Sequence, residues 1–258
     1  MSHVLTADGG TESLRVRIYD LDGRCVASHA EPYETKFMAG ARAEQNSEDW
    51  WSSLVTATQI CLKEANISGD AIDAMAYATT CCTVVALDKN GAPLRPALMW
   101  MDVRADKEAE AVLETGDQRL ILNGNGQGPV SAEWMIPKAL WLKRNEPKIF
   151  DDAVTICEYQ DYLTMRLTGE RCASLNNIGL RWHYANRDGG WASGIVEKLG
   201  MPDLLEKWPS RVAAPGEVVG NLSAAAAAEL GLSTRTKLVQ GGADALIGMI
   251  GLGVSKPG

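Results

Sequence analysis

An α/β fold with a mixed sheet flanked by helices is predicted by three features of this 258-residue chain. Residues 3–36 run in short alternations of apolar and polar side chains broken by turn signals, the pattern of a β-meander. From Ser47 onward, segments with helical spacing alternate with short apolar runs of strand length, which is how helices come to cover a sheet. No stretch of linker composition divides the chain, so one domain is expected over 1–258.

Taken in order, Val4 to Ala7 reads as a first strand. Leu14, Val16 and Ile18 alternate with Arg15, Arg17 and Tyr19, as a strand with one face in the core should. Asp20-Leu21-Asp22-Gly23 is a turn, and Cys25 to His29 returns as a third strand. Ser47 to Ala65 is an amphipathic helix, with Ser47 as its N-cap and Glu48 and Asp49 in the first turn, where they suit the helix dipole. Ala74 to Ala78 and Thr83 to Leu87 are strands, and Asp88-Lys89-Asn90-Gly91 turns into another around Pro96 to Trp100. Helical patterns at 105–115 and 135–145 flank a glycine-rich loop, Leu122 to Val130, carrying Gly124, Gly126 and Gly128. Asp152 to Ile156 reads as a strand, and Asp161 to Leu167 as a helix closed by Thr168-Gly169. Residues 174–210 read as loop with short helices, 224–230 as a short helix, and Lys237 to Gln240 as the last strand.

Composition excludes several functional classes. Hydrophobic residues make up 46% of the chain and charged residues 22%, ordinary for a soluble globular protein. The net charge of −8 and the lack of an extended basic stretch argue against a nucleic-acid partner. No apolar run is long enough to cross a bilayer and the N-terminus has no signal-peptide pattern, so no membrane partner and a cytoplasmic location are expected. The six cysteines form no Cys-x-x-Cys pair, and the three histidines are too scattered for a zinc site.

Three motifs carry chemistry. At Asp244, the apolar Leu238-Val239 meets Gln240, two glycines and Ala243, then the carboxylate and a further apolar run. An acid at such a strand–turn–helix junction is a candidate general base at a cleft floor, or a helix N-cap. Near the start, Asp8-Gly9-Gly10-Thr11-Glu12-Ser13-Leu14-Arg15 follows a strand. Its glycines, including Gly10, turn backbone N–H groups toward an anion, Thr11 and Ser13 offer hydroxyls to phosphate, Arg15 offsets charge, and Asp8 holds Mg²⁺ through water. The same residues also suit a polar hairpin turn. The third motif, Trp100-Met101-Asp102-Val103-Arg104, puts an acid and a base where they converge on sugar hydroxyls, or simply pair with each other at a helix start. Together the motifs suggest phosphoryl transfer to a small hydroxylated substrate.

Their order resembles the N-terminal domain of the FGGY family of carbohydrate kinases. The resemblance spans about 3–258 and rests on Asp8-Gly-Gly-Thr-x-Ser-x-Arg15, Leu87-Asp-Lys-Asn-Gly-x-Pro-Leu-Arg95-Pro, Trp100-x-Asp-x-Arg104, Asp161-Tyr-Leu-x-x-Arg166-Leu-Thr-Gly169 and Gly241-Gly-x-Asp244-Ala. Cys157-Glu-Tyr-Gln-Asp-Tyr and Ser131-Ala-Glu-Trp-Met-Ile-Pro-Lys138 are most similar to its ribulokinase-type, pentulose-phosphorylating branch. The resemblance implies a ribonuclease-H-like domain of the sugar kinase/actin superfamily, with ATP and Mg²⁺ as co-substrate and metal. It implies that Asp244 is the catalytic base toward a sugar hydroxyl and also touches the sugar. Asp8 would place Mg²⁺ beside the phosphate path lined by Thr11, Ser13 and Arg15. Cys81 and Cys82 fall where glycerol kinases carry Arg-Glu and xylulose kinases Met-His, which argues against both substrates as first choice. Glu133 or Trp134 falls near a further sugar contact. It also implies that a C-terminal nucleotide-binding domain lies outside 1–258, that this chain alone is a weak kinase or inactive, and that the face meant for that domain drives aggregation or dimerisation to a homodimer. Two alternatives are carried: a non-catalytic sugar-binding module derived from such a kinase, and an ATPase of the same superfamily that moves a partner.

Overall fold

The computed structural model describes residues 2–122 and 130–254; most of the expected glycine-rich loop therefore lies outside the described residues. The N-terminal alternation folds as a meander of β1 (His3–Gly9), β2 (Ser13–Asp20) and β3 (Cys25–Pro32). The short strands β4 (Lys36–Met38) and β5 (Arg42–Gln45) lead into α1 (Ser47–Ala65). Next come β6 (Ile72–Thr79), β7 (Val84–Leu87), β8 (Ala97–Leu98), α2 (Asp106–Glu114), α3 (Met135–Asn145) and α4 (Pro147–Asp152). β9 (Thr155–Glu158), α5 (Tyr159–Thr168), β10 (Cys172–Ser174), α6 (Leu175–Arg181), α7 (Ser193–Lys198) and α8 (Leu204–Lys207) follow. The chain continues through β11 (Arg211–Ala213), β12 (Val218–Asn221), α9 (Ala224–Leu230), β13 (Lys237–Val239) and α10 (Asp244–Gly251).

The mixed sheet has the order β12-β13-β6-β1-β2-β3. β1, β6 and β13 run parallel as neighbours, while β2 is antiparallel to both β1 and β3. This is the ribonuclease-H-like arrangement that the resemblance implies. Its side-chain period of two sorts the residues by face. Leu5, Ala7, Leu14, Val16, Ile18, Met75, Tyr77 and Leu238 are buried and pack against α1, α5 and α9. Thr6, Asp8, Arg15, Ala76, Ala78 and Val239 alternate with them on the opposite, half-exposed face.

The structure adds a second sheet. β4-β5-β8-β7-β9 is antiparallel throughout and has its own core with α2 and α3, centred on Val84, Leu98, Ile136, Phe150 and Ile156. The apolar runs at 83–87 and 97–98 thus leave the first sheet, because β7 finds partners in β8 and β9. Local boundaries also differ. Asn46, not Ser47, caps α1, its side chain accepting the Glu48 N–H. The expected strand from Asp152 begins only at Thr155, because α4 takes 147–152 with a proline at its first position, where the missing N–H costs nothing.

Candidate active site

Three of the singled-out segments meet because they follow the carboxyl ends of three neighbouring parallel strands. β1 delivers Asp8 and Gly10, β6 delivers Thr80, Cys81 and Cys82, and β13 delivers Gln240 to Asp244. In open α/β sheets the crevice outside these ends is where ligands bind.

The Asp244 turn is locked by close packing. A Cβ on Gly241 would sit 1.6 Å from the carbonyl oxygen of Tyr77, and one on Gly242 2.6 Å from Oδ1 of Asn176. Only glycine lets this backbone lie directly on β6. The Gly241 carbonyl accepts the Ser174 hydroxyl at 2.9 Å, the Ala243 N–H donates to Asn176 at 2.9 Å, and the Thr79 N–H donates to Gly242 at 3.2 Å. Asp244 is therefore the first residue of α10, one past the cap position, which Ala243 holds. Its Oδ1 accepts the Ala245 N–H at 2.7 Å. Burial raises its carboxyl above the ordinary range; that hydrogen bond opposes the rise, and the charge of Asp8 adds to it.

Asp244 borders two clefts. The larger, about 850 Å³, lies between the half-exposed sheet face and α10, and is lined by Thr6, Asp8, Gly10, Ala76, Ala78 and Ile247 among others. Register sets Thr6, Ala76 and Val239 in one row and Asp8 beside Ala78 in the next, so small side chains leave the sheet face open. The smaller cleft, about 280 Å³, is lined by Thr11, Thr80, Cys81, Cys82, Trp100, Glu133, Arg181 and Asp244. Asp244 stands where an atom in one cleft would meet an atom in the other.

The remaining residues divide. Thr11 is anchored from the second sheet, its carbonyl accepting Gln45 Nε2 at 2.6 Å and its hydroxyl accepting Trp100 Nε1 at 3.2 Å. Arg15 lies directly opposite Asp8 across the β1–β2 ladder, and Ser13 shares that strand face, but neither is among the residues bordering the clefts. Glu133 reaches the small cleft. Trp134 sits behind it, buried, with Arg181 5.1 Å over its ring.

Asp102 and Arg104, left open between a sugar contact and a local ion pair, are paired with each other. Asp102 is 0% exposed, and its carboxylate accepts N–H bonds from Ala43 and from the Arg104 backbone and guanidinium. Arg104 also pairs with Glu44 at 2.9 Å and lies 5.0 Å over the Trp141 ring. Their polar atoms are spent on each other and on β5. Trp100 of the same motif is the member that borders the cleft. Thr80 and Arg181 were not legible in advance. Arg181 arrives only because α6 follows β10 back across the molecule, and no spacing in the sequence signals that.

A family model described as the FGGY family of carbohydrate kinases, N-terminal domain, matches residues 3–251. The chain belongs to that family. Among FGGY relatives, a xylulose kinase of Bacillus subtilis (strain 168) is 27% identical over 100% of this chain and 51% of its own length. A D-ribulokinase of Saccharomyces cerevisiae (strain ATCC 204508 / S288c) is 26% identical over 97% of this chain and 38% of its own length. The crystal structure of xylulose kinase from Rhodospirillum rubrum matches with a TM-score of 0.88 at 26% identity, covering 99% of this chain and 52% of that one. The chain spans about half the length of the first curated relatives it matches.

The FGGY family implies a nucleotide phosphate and Mg²⁺, and the residues present fit them. No group of three or more His, Cys, Asp or Glu suited to a metal occurs among the described residues. Asp8 and Asp244 do border one cleft, and the charge of Asp8 is felt at Asp244. One or two carboxylates completed by water and phosphate oxygens is the usual way Mg²⁺ is held. Among the described residues, no helix is long and apolar enough to cross a membrane.

Proposed function

We propose that this chain forms the sugar-binding side of an ATP-dependent carbohydrate kinase whose acceptor is a pentulose such as ribulose. The observation that carries this reading is the position of Asp244, shared by a small cleft that Thr80, Glu133 and Arg181 border and a large cleft floored by Asp8 and Gly10. In this reading the ketose occupies the small cleft, with Thr80, Glu133 and Arg181 offering hydrogen bonds and Trp100 a flat apolar wall. Asp244 accepts the proton of the hydroxyl that points to the large cleft. The freed oxygen attacks the γ-phosphorus of ATP, and ADP leaves in line. Asp8 would hold Mg²⁺, which would neutralise charge on the phosphates. The backbone of Gly10 and the hydroxyl of Thr11 border the phosphate path.

The Cys81–Cys82 pair supports a pentulose other than xylulose. Two thiols present neither the imidazole nor the long thioether of a Met-His pair, and leave more room. The yeast relative named for D-ribulose is in keeping with this.

The test is the melting midpoint of the chain with D-ribulose, L-ribulose, D-xylulose, erythrulose and glycerol, each with and without Mg-ATP. A ligand that binds only the folded state raises the midpoint by mass action. A selective rise with one ribulose is expected. A rise with xylulose alone would overturn the choice of ribulose, a rise with glycerol alone would overturn the pentulose assignment, and no ketose response at any length of the protein would overturn the sugar site. Ketose binding without phosphoryl transfer in a protein that also carries the nucleotide-binding domain would favour the binding-module reading.

A further inference from the structure

Cys81 and Cys82 lie side by side in the small cleft, with their sulfurs 3.7 Å apart. Three features set them apart from Cys61, Cys157 and Cys172, which are buried singly. The first is access. Cys81 is partly exposed to the cleft, and Cys82 stands just behind it.

The second is backbone shape. Adjacent side chains on a strand point to opposite faces. Here Cys82 has φ +65°, the left-handed conformation that residues with a side chain seldom adopt, and both sulfurs turn the same way. Lys138 holds this turn from below, its buried ammonium donating to the carbonyls of Cys82 at 2.8 Å and of Met99.

The third is chemistry. The Cys82 thiol donates to the Cys81 sulfur, and this bond draws Cys81 below the ordinary thiol range, against the opposing effect of burial. A more acidic, reachable thiol beside a resolving thiol is the arrangement of reversible oxidation sites.

We propose that Cys81 and Cys82 are a redox modification site, converted by a peroxide to a vicinal disulfide that closes the small cleft to ketose. The closing of the cleft to ketose rests on the function proposed above; the modification itself does not. The Cys81 sulfur attacks one peroxide oxygen, the O–O bond breaks, and the departing oxygen leaves as water with the thiol proton. The Cys82 sulfur then attacks the Cys81 sulfenic acid, the S–O bond breaks, and a second water leaves. The two sulfurs lose two electrons and the peroxide gains them.

The sulfurs must close from 3.7 Å to the S–S bond length of about 2 Å. Their Cα atoms are one peptide apart, about 3.8 Å, closer than an ordinary disulfide prefers. The bond is therefore strained and easily reduced, as a reversible site requires. The same turn runs into Thr83, whose hydroxyl accepts the backbone N–H of Trp100 at 3.1 Å, so the turn is tied to a residue that borders the cleft.

The test treats the chain with hydrogen peroxide, then counts free thiols under denaturing conditions and maps the modified peptide by mass spectrometry. The expected result is loss of two of the six thiols, mapped to Cys81–Cys82 and restored by dithiothreitol. A Cys25→Ser variant, lacking the exposed thiol, is expected to give the same bridge. Retention of all thiols, or oxidation mapped elsewhere, overturns the modification site. In parallel, the ketose-induced rise in melting midpoint is measured on the reduced, oxidised and re-reduced chain. Loss on oxidation, corresponding to at least tenfold weaker binding, with recovery on reduction supports the closure. An undiminished rise in the bridged chain overturns it. If the reduced chain itself binds no ketose, the proposed function fails, while the thiol count still decides the modification.

Discussion

The surroundings of Asp244 bear directly on the role proposed for it. At the start of α10 a carboxylate would normally be stabilised in its charged form by the helix dipole. Burial and the facing Asp8 work the other way, and the net direction is upward. A base with a raised pKa holds a transferred proton better near neutrality. In the complete kinase, replacing Asp244 with Asn is expected to reduce kcat by about 10²–10⁴-fold, the usual contribution of a positioned general base, with ketose binding largely retained. Turnover within a few-fold of the parent would remove Asp244 from that role. The sign of the pH dependence follows as well. In the proposed role Asp244 acts in its ionised form, so the rate should rise with pH through a limb lying above the ordinary carboxylate range. Because the charge of Asp8 raises Asp244, Asp8→Asn should move that limb to lower pH whatever it does to the height of the profile. A limb that stays in place would mean that the two carboxylates do not interact during turnover.

At the scale of elements, the Gly241-Gly242 turn fixes the distance between β13, β6 and the start of α10. A methyl group on Gly241 would overlap the Tyr77 carbonyl, a backbone atom that cannot step aside without moving β6. Gly241→Ala is expected to cost more than about 3 kcal/mol, the upper end of ordinary overpacking. That corresponds to roughly 6–12 °C in melting midpoint for a domain of this size. Gly248 provides the contrast, lying inside α10 with open space around it. Gly248→Ala should be neutral or stabilising by about 0.5–1 kcal/mol, because glycine is a poor helix former. Equal losses in the two variants, read by thermal melting, would show that contact with β6 is not what the glycine serves. Trp50 makes a second fixed joint. It is fully buried, stacks on Tyr159 at 3.8 Å and donates to Gln45 at 3.0 Å, coupling α1 to α5 and to the second sheet.

At the scale of the molecule, two cores meet at a buried polar seam behind the small cleft. Glu158 accepts from Asn177 at 3.0 Å and Trp182 at 2.6 Å, while Asp161 accepts the backbone N–H groups of Glu158 and Ser174, both at 3.1 Å. Burial raises Asp161 to about 8, with the neighbouring Glu158 adding to the rise. A carboxyl whose pKa is higher folded than unfolded stabilises the protein below its unfolded pKa, and that contribution is lost as pH rises through the folded value. The window for Asp161 therefore runs from about pH 4 to about pH 8. Asp161→Asn loses one acceptor and should lower stability, but its deficit relative to the parent should shrink as pH rises from 5 to 8. A deficit that is constant across that range, measured by thermal or urea unfolding, would show that Asp161 does not change protonation on folding.

The meander, α1, the helix at 135–145 and the turn before Asp244 were legible in the amino-acid order, because each depends on local period, caps and glycines. It also carried the resemblance that implied the fold and the family, since five short motifs in order survive where overall identity is low. It identified Asp8, Thr11, the cysteine pair and Asp244 as candidates. It did not show that β7 and β8 leave the first sheet, since an apolar run of four residues pairs with any partner the chain brings within reach. For the same reason it left Asp102 and Arg104 open between a sugar contact and an ion pair; a charged pair two residues apart looks alike in both. Only the tertiary structure decided that Asp102 and Arg104 spend their polar atoms on each other, that Trp100, Thr80 and Arg181 border the cleft instead, and that Asp244 lies between two clefts. The physical reason is the parallel order of β1, β6 and β13. It brings three carboxyl-terminal strand ends, far apart in sequence, to one edge of one sheet.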